Sequence, residues 1–271
     1  MVKICLLPKV LNSIFNLMIT EVKVGTEKLS DPPFFLGLGS CFVNNLTPFL
    51  NEWGYDYIYN PLGTTFNPIS IAKQLKWIFN SIELNTPFKY NDIFHQLDAS
   101  NQWQNVNKED LLFELSEIKK NIQDYLSKNN KQLVLIISFG TAHAWFKENQ
   151  LVSNCHKLPG YLFERQLLST QQIIEYWKLV LDVLPPYVQV IFTVSPVRYT
   201  KIGLQDNFLG KSILRLAIEE LIQYSSALYF PSFEIIHDEL RNYDFYEPNG
   251  THPNKTAIEV VMKRFKEFLQ L

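Results

Sequence analysis

A serine near the front of the chain and a histidine near its end have the types and settings needed for acyl chemistry. The turn Leu38-Gly39-Ser40-Cys41-Phe42 follows an apolar run and opens a helical stretch. A hydroxyl there points at a sheet edge. The backbone N–H of Ser40 falls in the first turn of a helix, where unpaired donors and the helix dipole favour an oxyanion. Capping that helix is the commoner role of such a serine, and both roles stay open on the tripeptide alone. Cys41 is the alternative nucleophile, but the residue after the turn is expected to face the core. At the far end, Tyr246-Glu247-Pro248-Asn249-Gly250-Thr251-His252-Pro253-Asn254 places a histidine in a loop just before a last helix. Pro253 suits the first helical position, which puts His252 near the N-cap with its ring free. An imidazole titrates near neutrality and can take a hydroxyl proton, so Ser40 and His252 together make a nucleophile and its base.

The elements between them read as alternating strands and helices. Residues 34–42 form an apolar run, and the helix after it closes at Gly54. A short strand at 55–60 breaks at Asn60-Pro61. Residues 68–82 have helical spacing at Ile71, Leu75, Ile78 and Phe79. The stretch 83–108 is polar, aromatic and poorly periodic, which predicts loop with fragments. Residues 109–128 form an amphipathic helix with Leu112, Leu115, Ile118 and Ile122 on one face. Further strands are predicted at 131–141, 188–197 and 227–236, and further helices at 169–184 (capped by Ser169 or Thr170), 210–226 and 254–271. Five alternations imply a mainly parallel five-stranded sheet covered on both faces, in one domain. Chemistry on such sheets gathers past the carboxyl ends of the strands. Those positions here are Ser40, Asn60 to Gly63, Gly140 to His143, Ser195 to Arg198, and the loop before the last helix.

Composition narrows the function further. The 271 residues are 46% hydrophobic and 19% charged with a net charge of −2, ordinary for a globular chain. No basic cluster is long enough to track phosphates, which argues against a nucleic-acid partner. Three scattered cysteines, Cys5, Cys41 and Cys155, make neither a disulfide framework nor a zinc knuckle. They fit free thiols in a reducing, cytoplasmic setting. No apolar run approaches the roughly 20 residues a membrane span needs. No two histidines share metal-ligand spacing with a carboxylate, and no Gly-rich phosphate loop follows the first strand, so no metal or cofactor is expected.

Ordered motifs then give a specific resemblance. Gly39-Ser40-Cys41-Phe42, Asn60-Pro61-Leu62-Gly63 with Phe66-Asn67-Pro68-Ile69, Phe139-Gly140-Thr141-Ala142, Asn154-Cys155-His156-Lys157, Arg165-Gln166-Leu167-Leu168-Ser169, Thr193-Val194-Ser195-Pro196-Val197-Arg198, Tyr229-Phe230-Pro231-Ser232, and His252-Pro253 resemble the GSCFA domain family, a branch of the SGNH (GDSL-type) hydrolases. The resemblance spans 20–271 and leaves 1–19 as an N-terminal extension. It implies a flavodoxin-like three-layer α/β/α fold and an esterase mechanism on a small-molecule or carbohydrate acyl ester, with acyl transfer using the same residues. Ser40 would be the nucleophile and His252 the base. The N–H groups of Ser40 and Gly63 would form an oxyanion hole, where one donor is typically worth ~2.7–4 kcal/mol.

Two departures from the family pattern stand out. The third block lacks its asparagine, so Thr141 is the substitute donor, with His143 or Asn154 as alternatives. Asn249 occupies the position of the acid three residues before the histidine. In serine proteases the corresponding Asp→Asn change costs about 10⁴ in rate. The enzyme is then slow or inactive, or works as a dyad oriented by a backbone carbonyl, or takes its carboxylate from Glu247, Asp244 or Asp238. His156 and Arg198 are candidate substrate contacts and Lys211 a weaker one, while His95 and His237 read as structural. A catalytically decayed binding module on the same scaffold is the competing reading.

Overall fold

The computed structural model describes residues 21–26, 29, 33–128 and 132–271, so the 1–19 extension lies outside the described residues. Strands β1 (Phe34–Gly39), β2 (Asp56–Tyr59), β6 (Leu133–Phe139), β10 (Val188–Val194) and β11 (Leu228–Phe230) form a five-stranded sheet in the order β11-β10-β6-β1-β2. Every pairing in it is parallel.

Both faces are buried, because alternate residues of each strand point to opposite sides and both sets are apolar. Phe35, Val134, Ile136, Ile191 and Phe230 pack under α1 (Cys41–Glu52) and α7 (Lys255–Leu269). Phe34, Leu36, Leu38, Leu135, Ile137, Phe139, Phe192 and Val194 pack under α2 (Pro68–Ile78), α3 (Lys108–Lys128), α4 (Thr170–Leu181) and α5 (Leu204–Tyr224). The result is three layers, α/β/α. No helix among the described residues is long and apolar enough to cross a membrane.

Sequence periodicity located these elements, with instructive offsets. On α3, Leu115, Ile118 and Ile122 face the core as expected, but Leu111 completes the stripe and Leu112 is exposed. Helix α5 begins at Leu204, six residues earlier than expected, after Gly203 at φ +89°. Strand β11 is only three residues long, because Pro231 turns the chain into the short helix α6 (Ser232–Glu234).

Two small antiparallel sheets complete the fold. One is β3 (Phe88–Tyr90), β4 (Ile93–His95) and β5 (Gln104–Asn105), within the stretch expected to be loop with fragments. The other is β7 (His143–Lys147), β8 (Gln150–Val152) and β9 (Glu164–Leu167), which rises from the end of β6 and forms one side of the site.

Candidate functional site

The register of the central sheet brings Gly39 opposite Ser138 and Phe139 opposite Val194, so the chain leaves β1, β6 and β10 at one edge. Gly39 sits at φ +130°, and a Cβ there would lie 2.1 Å from the Ser138 carbonyl oxygen. Only glycine lets β1 end this close to β6.

Ser40 follows in extended conformation and caps α1, its Oγ accepting from the Phe42 N–H at 3.3 Å. The same Oγ shares a 2.7 Å hydrogen bond with Ser138 Oγ, and the Ser40 N–H donates to the Ser138 carbonyl at 3.0 Å. The residue is 1% exposed. The hydroxyl and amide offered as nucleophile and oxyanion donor are therefore both engaged, and Ser40 does not line the cleft that opens beside it.

Cys41 does line it, as the first residue of α1, half-buried rather than turned to the core as expected. A helix start leaves the residue after the cap on the sheet-edge side, which here is the open side. Burial raises its thiol pKa, and a hydrogen bond from its own backbone only partly offsets the shift.

The turn after β2 is held by Asn60, whose strand-end position the sequence predicts but whose bonding role it does not. At φ +37°, its Oδ1 accepts from the Gly39 N–H at 2.8 Å, and its Nδ2 donates to Asn44 Oδ1 at 2.7 Å. Gly63, at φ +83°, spends its N–H on the Asn60 carbonyl at 2.7 Å, and a Cβ would meet Ser100 Oγ at 2.0 Å. Gly63 closes a turn and lies outside the cleft lining.

After β6, the Gly140 and Thr141 N–H groups both donate to the Phe66 carbonyl, at 2.8 and 3.1 Å. Thr141 lines the cleft, and its hydroxyl accepts from the His143 N–H at 3.1 Å and stands 3.4 Å from His143 Nδ1. Burial lowers the pKa of His143, the Arg165 charge adds to this, and Asp206 opposes it.

The cleft encloses about 460 Å³. Phe66 and Asn67 come from before α2, Gly140, Thr141, His143 and Trp145 from the end of β6 and from β7, and Ser153, Asn154 and Cys155 from after β8. Ser195, Val197, Arg198 and Tyr199 follow β10, and Thr251 and His252 precede α7. Among the expected site residues, Thr141, His143, Asn154, Arg198 and His252 thus share one cleft. Ser40, Gly63, His156 and Asn249 stand outside its lining.

His156 is buried at φ +50°, its Nε2 3.2 Å from the Ala99 carbonyl and its Nδ1 3.4 Å from His95 Nδ1. Burial drives its pKa down to about 4. The residue braces the wall: Asn154 Oδ1 accepts from its N–H at 2.8 Å.

His252 is exposed, and its ring makes no hydrogen bond to a described residue. The helix it precedes is capped by Asn254, whose Oδ1 accepts from the Ala257 N–H at 3.0 Å. Pro253 therefore lies outside the helix, in an antiparallel bridge with Tyr246, instead of at its first position, and His252 is two residues before the cap. Asn249 is exposed, and its Oδ1 accepts from the Thr251 N–H at 2.8 Å. Asp238, Asp244 and Glu247 make no hydrogen bond to the His252 ring. Asp238 lies 3.8 Å from Arg241, and Asp244 accepts from Asn242 at 2.9 Å.

Lys211 does more in the site than its place in a helical stretch predicts. It is 3% exposed within α5, and its Nζ donates to the carbonyls of Gly140 at 2.6 Å and Ser195 at 2.7 Å. It ties together the two strand ends that floor the cleft. Burial without a carboxylate partner lowers its pKa to about 7. The one visible signal was a lysine on what becomes the apolar face of a helix.

The family model for the GSCFA family matches residues 34–265, which include every element of the site. No curated protein matches the chain.

Proposed function

The chain belongs to the GSCFA family, and from that premise we propose that it is an SGNH-type serine hydrolase acting on acyl esters at the cleft past the carboxyl edge of the sheet. The observation that carries this reading is that the Gly39-Ser40-Cys41 turn and His252, from opposite ends of the chain, border the same cleft, Cys41 and His252 both lining it.

In the proposed reaction Ser40 Oγ attacks the acyl carbon and its proton passes to the His252 ring. The alcohol leaves with that proton. Water then attacks the acyl-serine, giving up a proton through His252, and releases the acid. Attack requires Ser40 to turn about its Cα–Cβ bond away from Ser138, at the cost of a hydrogen bond worth about 1 kcal/mol. The Ser40, Gly63 and Thr141 N–H groups already have carbonyl acceptors, so the Thr141 hydroxyl, 3.4 Å from His143 Nδ1, would have to turn from that nitrogen to donate to the oxyanion.

The test is labelling of the folded protein with a fluorophosphonate, followed by peptide mapping. An adduct on Ser40 that is lost in Ser40→Ala supports the reading. A folded protein that takes no label, or takes it only at Cys41, overturns it.

A second reading, a ligand-binding cleft on a hydrolase scaffold, is favoured by the 1% exposure of Ser40 and by a His252 ring that no described carboxylate hydrogen-bonds. Absence of label together with saturable ligand binding selects it.

A further inference from the structure

The charge around the cleft is lopsided. Acidic residues outnumber basic ones in the chain, 27 to 25, yet none of the residues lining the cleft carries a carboxylate. Arg198 is its one permanently charged side chain. No described carboxylate lies within ion-pair distance of that guanidinium, whereas Arg215 and Arg264 both have such partners.

Arg198 is nonetheless fixed in place. Its N–H donates to the Thr251 carbonyl at 2.9 Å, directly beside His252. Its guanidinium carbon lies 3.9 Å from the ring centre of the buried Tyr246 and 5.1 Å from that of Tyr243. Stacking on tyrosine faces orients the planar fork and covers its flat side, and the Tyr246 hydroxyl engages one of its N–H groups, leaving the others for a ligand. A second cation lies under the floor: the Lys211 ammonium, bonded to two carbonyls and to no carboxylate. An unneutralised guanidinium beside a partly apolar recess favours a negative ligand, and the Lys211 ammonium adds to it whenever protonated.

We propose that Arg198 is an anion-binding residue and that the cleft's ligands are small molecules bearing a carboxylate or phosphate next to an apolar or ring-shaped body. Phe66, Trp145 and Tyr199 supply the walls for that body. Combined with the ester hydrolase reading, on which this part alone rests, the substrates are acyl esters carrying an anionic group. The guanidinium would hold that group while the acyl carbon reaches the serine.

The test titrates the full chain by calorimetry, at fixed ionic strength, with benzoate, phenyl phosphate and neutral benzamide. Wild type is expected to bind at least one of the two anions saturably and to prefer it to benzamide by about tenfold or more. Which anion is preferred identifies the group. Arg198→Gln is expected to remove that preference, and Arg198→Lys, which keeps the charge but loses the fork, to retain part of it. Wild type that binds neither anion, or an Arg198→Gln protein with the wild-type preference, overturns the proposal. Should Arg198→Gln fail to fold, an undiminished preference in Arg198→Lys overturns the role of the fork.

No turnover is involved, so a Ser40 that proves inert leaves the result intact. In turnover, Arg198→Gln is expected to raise KM for 4-nitrophenyl hemisuccinate several-fold more than KM for 4-nitrophenyl acetate, and an equal rise for both esters counts against an anion-binding role.

Discussion

The two halves of the candidate site are built in opposite ways. In the front turn, side chain and backbone are both saturated. The Gly39 N–H is held by Asn60, the Ser40 N–H by the Ser138 carbonyl, and Ser40 Oγ by Ser138 Oγ and the Phe42 N–H. In the tail loop only the backbone is fixed. Glu247 N–H donates to the His252 carbonyl, Gly250 N–H to the Glu247 carbonyl, and the backbone N–H of Arg198 to the Thr251 carbonyl, yet the imidazole stands exposed with no hydrogen-bond partner among the described residues. One half has a side chain with too many partners to react as it stands, and the other has a ring with too few to be oriented. Any slow step would then lie in freeing a hydroxyl and turning a ring, both cheaper than rebuilding a backbone.

The largest effect separates the halves by their glycines. Gly39→Ala adds a Cβ 2.1 Å from a carbonyl oxygen at φ +130°, and is expected to cost about 4 kcal/mol or more, or to prevent folding. Gly250→Ala, at φ +66° with no atom within 4 Å of the added Cβ, should cost only about 1 kcal/mol. Urea unfolding of both variants measures this, and equal losses would mean that the front turn is no more rigid than the tail.

The next effect contrasts two imidazoles, one exposed at the cleft and one sealed behind its wall. The folded-state pKa of His156 is lowered to about 4 from 6.5, chiefly by burial. Between those values the unfolded chain binds a proton that the folded chain refuses. Stability therefore falls as pH drops from 6.5 towards 4, by up to roughly 3 kcal/mol from this residue. His156→Asn keeps a residue tolerant of φ +50° and should flatten part of that slope, with His95, also lowered by burial, retaining the rest. Urea midpoints from pH 4 to 7 that run parallel in both proteins would show that the pair is not the acid-sensitive element.

The contrast between the halves also marks what was legible in the sequence. The strand ends were, because continuous apolar runs followed by Gly, Ser or Pro identify parallel strands and where they stop. Thr141, Arg198 and His252 could therefore be placed past the sheet edge, where they line the cleft. The partners that decide Ser40's state were not. Ser138 sits inside an apolar run and meets Ser40 only through the β1–β6 register, while Asn60 reaches Gly39 only once β2 has paired with β1. Strands β7 to β9 were illegible for a different reason: they are three to five residues long and mix charged with aromatic positions, so no period of two emerges. His156 was misplaced as a ligand contact because a histidine in a loop gives no sign of burial until the loop has something to fold against.

A repair of the tail half comes next in size. In Asn249→Asp one carboxylate oxygen can keep the 2.8 Å bond to the Thr251 N–H, and the other becomes available to the His252 ring. Turnover of 4-nitrophenyl acetate is expected to rise about tenfold, well below the 10⁴ that separates Asp from Asn in a buried triad, because this carboxylate would be exposed to water. A rate that does not move would mean that the ring is oriented by something other than position 249, or that orientation does not limit the rate.

The smallest effect tests the front half at the bond that restrains it. Ser138→Ala deletes the 2.7 Å partner of Ser40 Oγ while leaving the Ser138 carbonyl and its bond to the Ser40 N–H in place. Among the described residues the Ser40 hydroxyl then keeps only the Phe42 N–H, which donates to it. Turning towards the cleft restores a partner in water or in a ligand. The variant should lose about 1 kcal/mol of stability. The same energy no longer opposes rotation of Ser40, so labelling by a fluorophosphonate should accelerate roughly fivefold. Slower labelling would reverse the comparison: Ser138 would then be orienting the nucleophile rather than restraining it, and the front turn would be the prepared half of the site.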